Sequence, residues 1–219
     1  MANSDKNISS AVIKRLPRYF RYLGALKAKN ITRISSKELS EQMMVTASQI
    51  RQDLDNFGGF GQQGYGYNVE MLRTEIANIL GLNRGYTAVM VGAGHMGRTF
   101  ATNTKFESRG FKLIGIFDNS KDVIGTAIND FVVKDYSEIR EFIYENHPKM
   151  AILTVPKEAM KTVAEDLIGM GIKAFMNFSY TELEEKEGII VENVHLGDSL
   201  MRLSYKISVG ENKDPQSEV

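Results

Sequence analysis

Apolar positions recur at helical spacing along the first eighty residues. In "SAVIKRLPRYFRYLGALKAKN" they fall at Val12, Leu16, Tyr19, Phe20, Leu23 and Leu26, with Lys14, Arg15, Arg18 and Arg21 among them. This spacing predicts an amphipathic helix, in which Pro17 either introduces a kink or marks an early boundary. "SSKELSEQM" opens with Ser35 and Glu38, an S-x-x-E capping box before a short helix, and "TASQIRQDLDNF" repeats the device with Thr46 and Gln49. A few residues around Met44 and Val45 separate the two short helices. The glycines between Phe57 and Tyr67 alternate with aromatics, which suits a tight β-ribbon. Helix resumes after Asn68, a favourable N-cap, with an apolar stripe at Val69, Leu72, Ile76 and Ile79/Leu80.

The pattern then changes. "YTAVMVGAGHMGRTFATN" runs from an apolar strand at 88–91 into glycines and a helix, and "FKLIGIFDNS" is a second strand. "DFVVKDY" predicts a short strand with a turn, "SEIREFIYENH" a helix capped by Ser137, and "PKMAILTVP" a buried strand at 151–155. "KEAMKTVAEDLIGMG" predicts a helix ended by the glycines at 169–171, and "IKAFMNFS" a strand at 174–178. Strands alternating with helices predict a doubly wound parallel sheet. "DSLMRLSYKI" is a last apolar helix, with Leu200, Leu203, Tyr205 and Ile207 and little chain left to cover them. A partner subunit is expected there.

Composition narrows the chemistry. The 219 residues contain no cysteine, which excludes disulfides, thiolate metal sites and cysteine nucleophiles. The polar start and the absence of any long apolar run predict a cytoplasmic protein with no membrane association. Net charge is zero, but residues 1–83 carry 11 Lys/Arg against 7 Asp/Glu, whereas 84–219 carry 16 against 20. The basic excess in front points to an anionic partner.

Two short helices with a tight connection describe a helix-turn-helix, and the glycine–aromatic segment after them describes a wing. The second helix would enter the major groove N-terminus first, bringing Ala47, Ser48, Gln49, Arg51 and Gln52 to bases or phosphates. Arg51 suits either a guanine edge or a phosphate. Lys14 and Arg15, and Gln62, Gln63, Gly64, Tyr65 and Tyr67 of the wing, complete the expected contacts with double-stranded DNA.

In the second half, Gly92, Gly94 and Gly97 form G-x-G-x-x-G between a strand and a helix. Gly92 makes the turn, Gly94 admits a pyrophosphate to the helix N-terminus, and Gly97 packs helix against strand. Ala93, His95 and Met96 complete that loop. Asp118, 21 positions after Gly97, is placed to accept from ribose hydroxyls and to repel a 2′-phosphate, favouring NAD over NADP. Asn119, Lys121, Thr154, Val155, Pro156, Asn177, Phe178 and Ser179 stand at the carboxyl ends of the strands, where ligands bind in such sheets. None of His95, His147 and His195 has an evident carboxylate orienter, and no catalytic or metal site is expected. The residues leave a DNA-binding regulator and an NAD-dependent oxidoreductase as alternatives.

The motifs "KRLPRYFRYL", "SSKELSEQM…ASQIRQDLDNFGGFGQQGYGYNV", "VGAGHMGR", "IFDNSKDVIGT", "AILTVPKEA" and "GIKAFMNFS" cover nearly the whole chain. In this order the chain resembles Rex, the bacterial redox-sensing transcriptional repressors. The resemblance implies a two-fold homodimer, with each last helix exchanged into the partner. Winged domains bind a palindromic operator. NAD+ is compatible with DNA binding, and NADH releases it. It also implies a redox switch of tyrosine, aspartate and arginine. Arg21 matches the arginine, but Asn103 stands at the tyrosine and His195 at the aspartate, and the wing carries Gln62 and Gln63 where the family commonly has Lys/Arg. A weakened NADH response is therefore expected. The expected organisation is a winged-helix domain at 1–83, a Rossmann NAD(H)-binding domain at 84–194, a swapped helix at 195–210 and a disordered tail at 211–219.

Overall fold

The computed structural model describes residues 9–55, 61–62 and 65–211, with the backbone alone at 61, 62, 210 and 211. The chain divides between Arg84 and Gly85 into two compact units.

In the first unit α1 (Ser10–Ala28) is capped by the Ser9 side chain and runs through Pro17. It buries Val12, Leu16, Tyr19, Leu23 and Leu26 on one face. β1 (Arg33–Ile34) leads into α2 (Ser36–Met43). There the full capping box forms: Glu38 accepts from the Ser35 amide at 2.8 Å and the Ser35 hydroxyl accepts from the Glu38 amide at 3.1 Å. Met44, in left-handed conformation, ends α2 and turns the chain into α3 (Ala47–Asp55). Here the Thr46 hydroxyl accepts from the Gln49 amide at 3.1 Å, while the Gln49 side chain turns to Asp53, so the second box is half of what the sequence predicts. β2 (Gly61–Gln62) and β3 (Gly66–Asn68) form an antiparallel ribbon, and β3 pairs with β1 on its other edge. Gly66 has φ +69°, and a Cβ there would lie 2.6 Å from the Ile34 carbonyl oxygen. Asn68 caps α4 (Val69–Ile79), whose Val69, Leu72 and Ile76 close the core over α1.

The second unit is a six-stranded parallel sheet. Its strands and helices alternate as β4 (Tyr86–Val91), α5 (His95–Asn103), β5 (Phe111–Asp118), a hairpin of β6 (Ala127–Ile128) and β7 (Phe131–Val132), β8 (Lys134–Asp135), α6 (Ile139–Asn146), β9 (Met150–Leu153), α7 (Lys157–Gly169), β10 (Ala174–Asn177) and β11 (Ile190–Asn193). The spatial order is β11-β10-β9-β4-β5-β8. Val89 and Val91 face one apolar layer and Ala88 and Met90 the other, so strand alternation sends side chains into two cores and leaves no polar face. Strand order reverses between β4 and β9, the position at which open α/β sheets form a ligand crevice.

Three expectations change. Asp135 accepts from the Ser137 amide and caps a 3-10 turn at 136–138, and α6 follows from Glu138 with no side-chain cap, so Ser137 is not the N-cap. "DFVVKDY" gives the second hairpin strand and β8 rather than one strand with a turn. β11, absent from the sequence-based scheme, extends the sheet beside β10.

α8 (Leu196–Glu211) begins one residue after His195 and presents Leu200, Leu203, Tyr205 and Ile207 to solvent. The tail from residue 212 lies outside the described residues. No described helix is long and apolar enough to cross a membrane.

Candidate functional site

Parallel register brings the strand ends level. Val91 pairs with both Phe117 and Leu153, and Asn177 pairs with Leu153. The loops beyond them enclose a cleft of ≈ 1190 Å³. Its floor is the glycine turn. Gly92 has φ +100°, and a Cβ there would lie 2.6 Å from the Thr154 carbonyl oxygen. At Gly97 a Cβ would overlap the Gly92 carbonyl oxygen and come within 2.8 Å of Thr154 Oγ1. The Thr154 hydroxyl itself donates to the Gly92 carbonyl at 2.7 Å, locking the loop after β4 to the end of β9.

Gly94 differs. It is the N-cap of α5, no side chain caps the helix, and a Cβ would meet nothing within 4 Å. The protein leaves that space open beside first-turn amides that lack intrahelical acceptors. Such an N-terminus attracts an anion.

Asp118 ends β5. Its carboxylate accepts from the Ala93 amide at 2.6 Å and the Ser120 amide at 2.8 Å, which holds it at the lip of the glycine loop. Val123, Val155, Ala159 and Val163 make the cleft partly apolar, and Ser179 adds a buried hydroxyl with no protein partner among the described residues. Open space at Gly94, an acceptor at Asp118 and an unmet hydroxyl at Ser179 fit a dinucleotide: pyrophosphate at α5, ribose at Asp118, rings along the apolar wall.

Of the residues expected from sequence, Gly92, Gly94, Met96, Asp118, Asn119, Thr154, Val155, Pro156, Phe178 and Ser179 line the cleft. Ala93 is buried beneath it and Gly97 packs behind it. His95 and Lys121 are exposed and do not line it. Asn177 is fully buried; its amide donates to the Thr181 carbonyl and to Asn193, and its oxygen accepts from the Ser179 amide. It shapes the loop that carries Ser179 and leaves the list of ligand contacts. Sequence reading missed Tyr136 and Asp166, which also line the cleft. Burial, and then the Asp166 carboxylate, push the Tyr136 phenol up to about 12. The cleft-facing side of α7 was the available signal for Asp166.

The helix-turn-helix face lies in the first unit. Ser48, Arg51 and Gln52 are exposed along α3 and Ala47 and Gln49 are half-buried. Arg51 donates to the Ser36 hydroxyl at 3.1 Å, which ties it to the start of α2. Lys14 is exposed on α1. Arg15 is engaged in a bidentate pair with Asp53, so its charge is already matched within the unit. Tyr65 is 70% exposed, with the Arg33 guanidinium 5.9 Å from its ring. Tyr67, only 6% exposed, belongs to the core, because β3 turns that side chain inward beneath the ribbon; it is removed from the expected DNA contacts. Gln63, Gly64 and the Gln62 side chain lie outside the described residues.

Arg21 is exposed on α1. Asn103, the last residue of α5, donates to the Thr99 carbonyl at 2.9 Å, and His195 Nε2 is 3.7 Å from Glu182. Among the described residues no cluster of His, Asp and Glu could hold a metal ion.

Two family models match, "Putative DNA-binding protein N-terminus" over residues 7–55 and "CoA binding domain" over 83–181. The redox-sensing transcriptional repressor Rex of Caldanaerobacter subterraneus subsp. tengcongensis is 52% identical over 93% of this chain and 91% of its own. That of Clostridioides difficile is 51% identical over 94% and 99%. A crystal structure of RSP in complex with β-NAD+ and operator DNA superposes with a TM-score of 0.86 at 49% identity, covering 94% of this chain and 95% of that one. RSP in complex with β-NADH gives 0.85 at 46% identity, over 94% and 97%. With this identity extending across both units, the chain belongs to the Rex family of redox-sensing transcriptional repressors.

Proposed function

We propose that the protein is a homodimeric transcriptional repressor that binds a palindromic operator in the cytoplasm and senses the NADH/NAD+ balance through its glycine-lined cleft, without catalysing a reaction. One observation carries this reading: a helix-turn-helix face and a cleft left open at Gly94 coexist in one chain, and a relative 49% identical was crystallised with both NAD+ and operator DNA. An NAD-dependent oxidoreductase is disfavoured because relatives matching nearly full length are named repressors. Arg51, Ser48 and Gln52 contact DNA from α3, with Tyr65 on the wing. Gly92, Gly94, Asp118, Thr154 and Ser179 hold the dinucleotide. The exposed apolar side of α8 is covered by exchange into the partner subunit, which gives the dimer its two-fold axis.

NADH and NAD+ differ by one charge on the nicotinamide, and only a difference in affinity between two protein states turns that into release. Asn103 cannot ionise as a phenol does and His195 cannot supply an aspartate's negative charge, so NADH releases this protein less sharply than its family's usual switch. Asn103→Tyr combined with His195→Asp strengthens the response. The operator-binding reading is tested by selection from a pool of random-sequence duplexes with the full-length protein. An inverted repeat is expected. A pool that stays random overturns it.

A further inference from the structure

Asp53 is 1% exposed on the side of α3 that faces α1. Arg15 grips it bidentately, Nε to Oδ2 and a terminal nitrogen to Oδ1, both at 2.7 Å. The Tyr19 hydroxyl, itself buried, donates to Oδ2 at 2.9 Å, and Gln49 Nε2 donates to Oδ1 at 2.8 Å. Burial alone would push the carboxyl up; the hydrogen bonds from Arg15, Gln49 and Tyr19 outweigh it and hold the group below the ordinary carboxylate value. Asp53 is therefore ionised at neutral pH and only accepts.

An acceptor-only group dictates which end of a neighbouring amide it meets. The nitrogen of Gln49, and not its carbonyl oxygen, must face Asp53, which fixes which end of the amide is turned inward. Gln49 stands in the first turn of α3, between exposed Ser48 and Arg51 and one helical turn before Asp53. A glutamine with a free amide reads adenine with both ends, donating to N7 and accepting from N6. Here one of the two amide hydrogens is already committed to Asp53 inside the unit, which fixes the plane of the amide.

We propose that Asp53 is a positioning residue for operator readout: it locks the Gln49 amide nitrogen inward and leaves Oε1 outward, so that Gln49 selects an exocyclic amino group, adenine N6 or cytosine N4, in the major groove. This rests on the DNA-binding reading above. Guanine and thymine present acceptors at the corresponding edge and are disfavoured there. Arg15 and Tyr19 act through Asp53 rather than on DNA.

The test uses the full-length protein and the duplex that it selects from the random pool. Each half-site adenine is replaced by purine, which lacks the amino group, and each cytosine by 2-pyrimidinone, which lacks N4. One position is expected to lose roughly three- to tenfold in affinity when its amino group is removed, the span of a single hydrogen bond. Gln49→Ala removes the penalty at that position alone. Asp53→Asn relaxes the selected base there; should that variant not fold, the base-analogue series with Gln49→Ala decides by itself. The absence of any amino-dependent position in a duplex that still binds overturns the proposal, as does an amino-dependent position whose penalty persists unchanged in Gln49→Ala. A pool that yields no sequence overturns the DNA-binding reading itself.

Discussion

Gly94 and Gly97 stand three residues apart and predict opposite experimental signatures. At Gly94 the backbone has φ −68° and ψ −167°, an extended conformation open to any residue, and a Cβ meets no protein atom within 4 Å. Gly94→Val should therefore leave folding stability within about 0.5 kcal/mol of the parent. The same side chain occupies the approach to the α5 N-terminus. If it denies a pyrophosphate two charge-assisted hydrogen bonds, at about 1.5–3 kcal/mol each, NADH affinity falls by roughly two to four orders of magnitude. At Gly97 the added Cβ overlaps the Gly92 carbonyl oxygen and crowds Thr154 Oγ1 at 2.8 Å. Neither neighbour can yield easily, since Thr154 donates to that carbonyl and Gly92 donates to Phe117. Gly97→Ala should cost about 1–3 kcal/mol of stability, as overpacking does, and lower NADH affinity by displacing the helix. Thermal melting by circular dichroism and titration calorimetry with NADH separate the two effects. NADH binding by Gly94→Val at parental affinity refutes the placement of the pyrophosphate. A Gly97→Ala protein as stable as the parent refutes the steric account of the loop.

Asp118→Ala removes the acceptor for Ala93 and Ser120 together with the proposed ribose contact; NADH affinity should drop roughly tenfold or more by calorimetry, and the parent should prefer NADH to NADPH. Arg51→Ala should weaken binding to the selected duplex by roughly five- to 150-fold, the span of a bidentate base contact, with NADH affinity unchanged; unaltered DNA affinity removes Arg51 from the interface. The Asp53 network should make stability acid-sensitive. Because the folded carboxyl is held below its ordinary 3.8, its contribution is present above that value and is lost as pH falls through the folded value. Asp53→Asn should thus melt below the parent at pH 7, with the gap narrowing under more acidic conditions than about pH 4. A gap independent of pH contradicts the ionised network.

Local chemistry was legible in the sequence. The Ser35–Glu38 box, the Asn68 cap and the glycine turn each depend on residues within a few positions, and all form. Strands expected at 88–91 and 151–155 read as apolar runs because both sheet faces are covered, although β9 ends at Leu153. What depended on distant partners was not legible. Arg15 and Gln49 read as surface groups, because Asp53 lies 38 positions from Arg15 and its burial is decided by packing. Tyr67 read as a wing aromatic, although the inward side of β3 claims it. β11 escaped because four residues after a glutamate-rich loop carry little periodicity, and Tyr136 joined the cleft only through the position of β8. The ligand-facing glycine and the two packing glycines were equally visible as a motif; only the structure separates the open space at Gly94 from the filled space at Gly92 and Gly97.

In the proposed function, cofactor redox state governs DNA binding. Its most direct test is the affinity of the full-length protein for its selected palindromic duplex, measured by fluorescence anisotropy as NADH rises at fixed NAD+. A ligand shifts an equilibrium only through its differential affinity for the two states. NAD+ alone should leave the complex intact and NADH should weaken it, with a shallower dependence on the NADH/NAD+ ratio than that of the Asn103→Tyr/His195→Asp protein. Indifference of DNA affinity to both nucleotides, while calorimetry shows both bound, would contradict it.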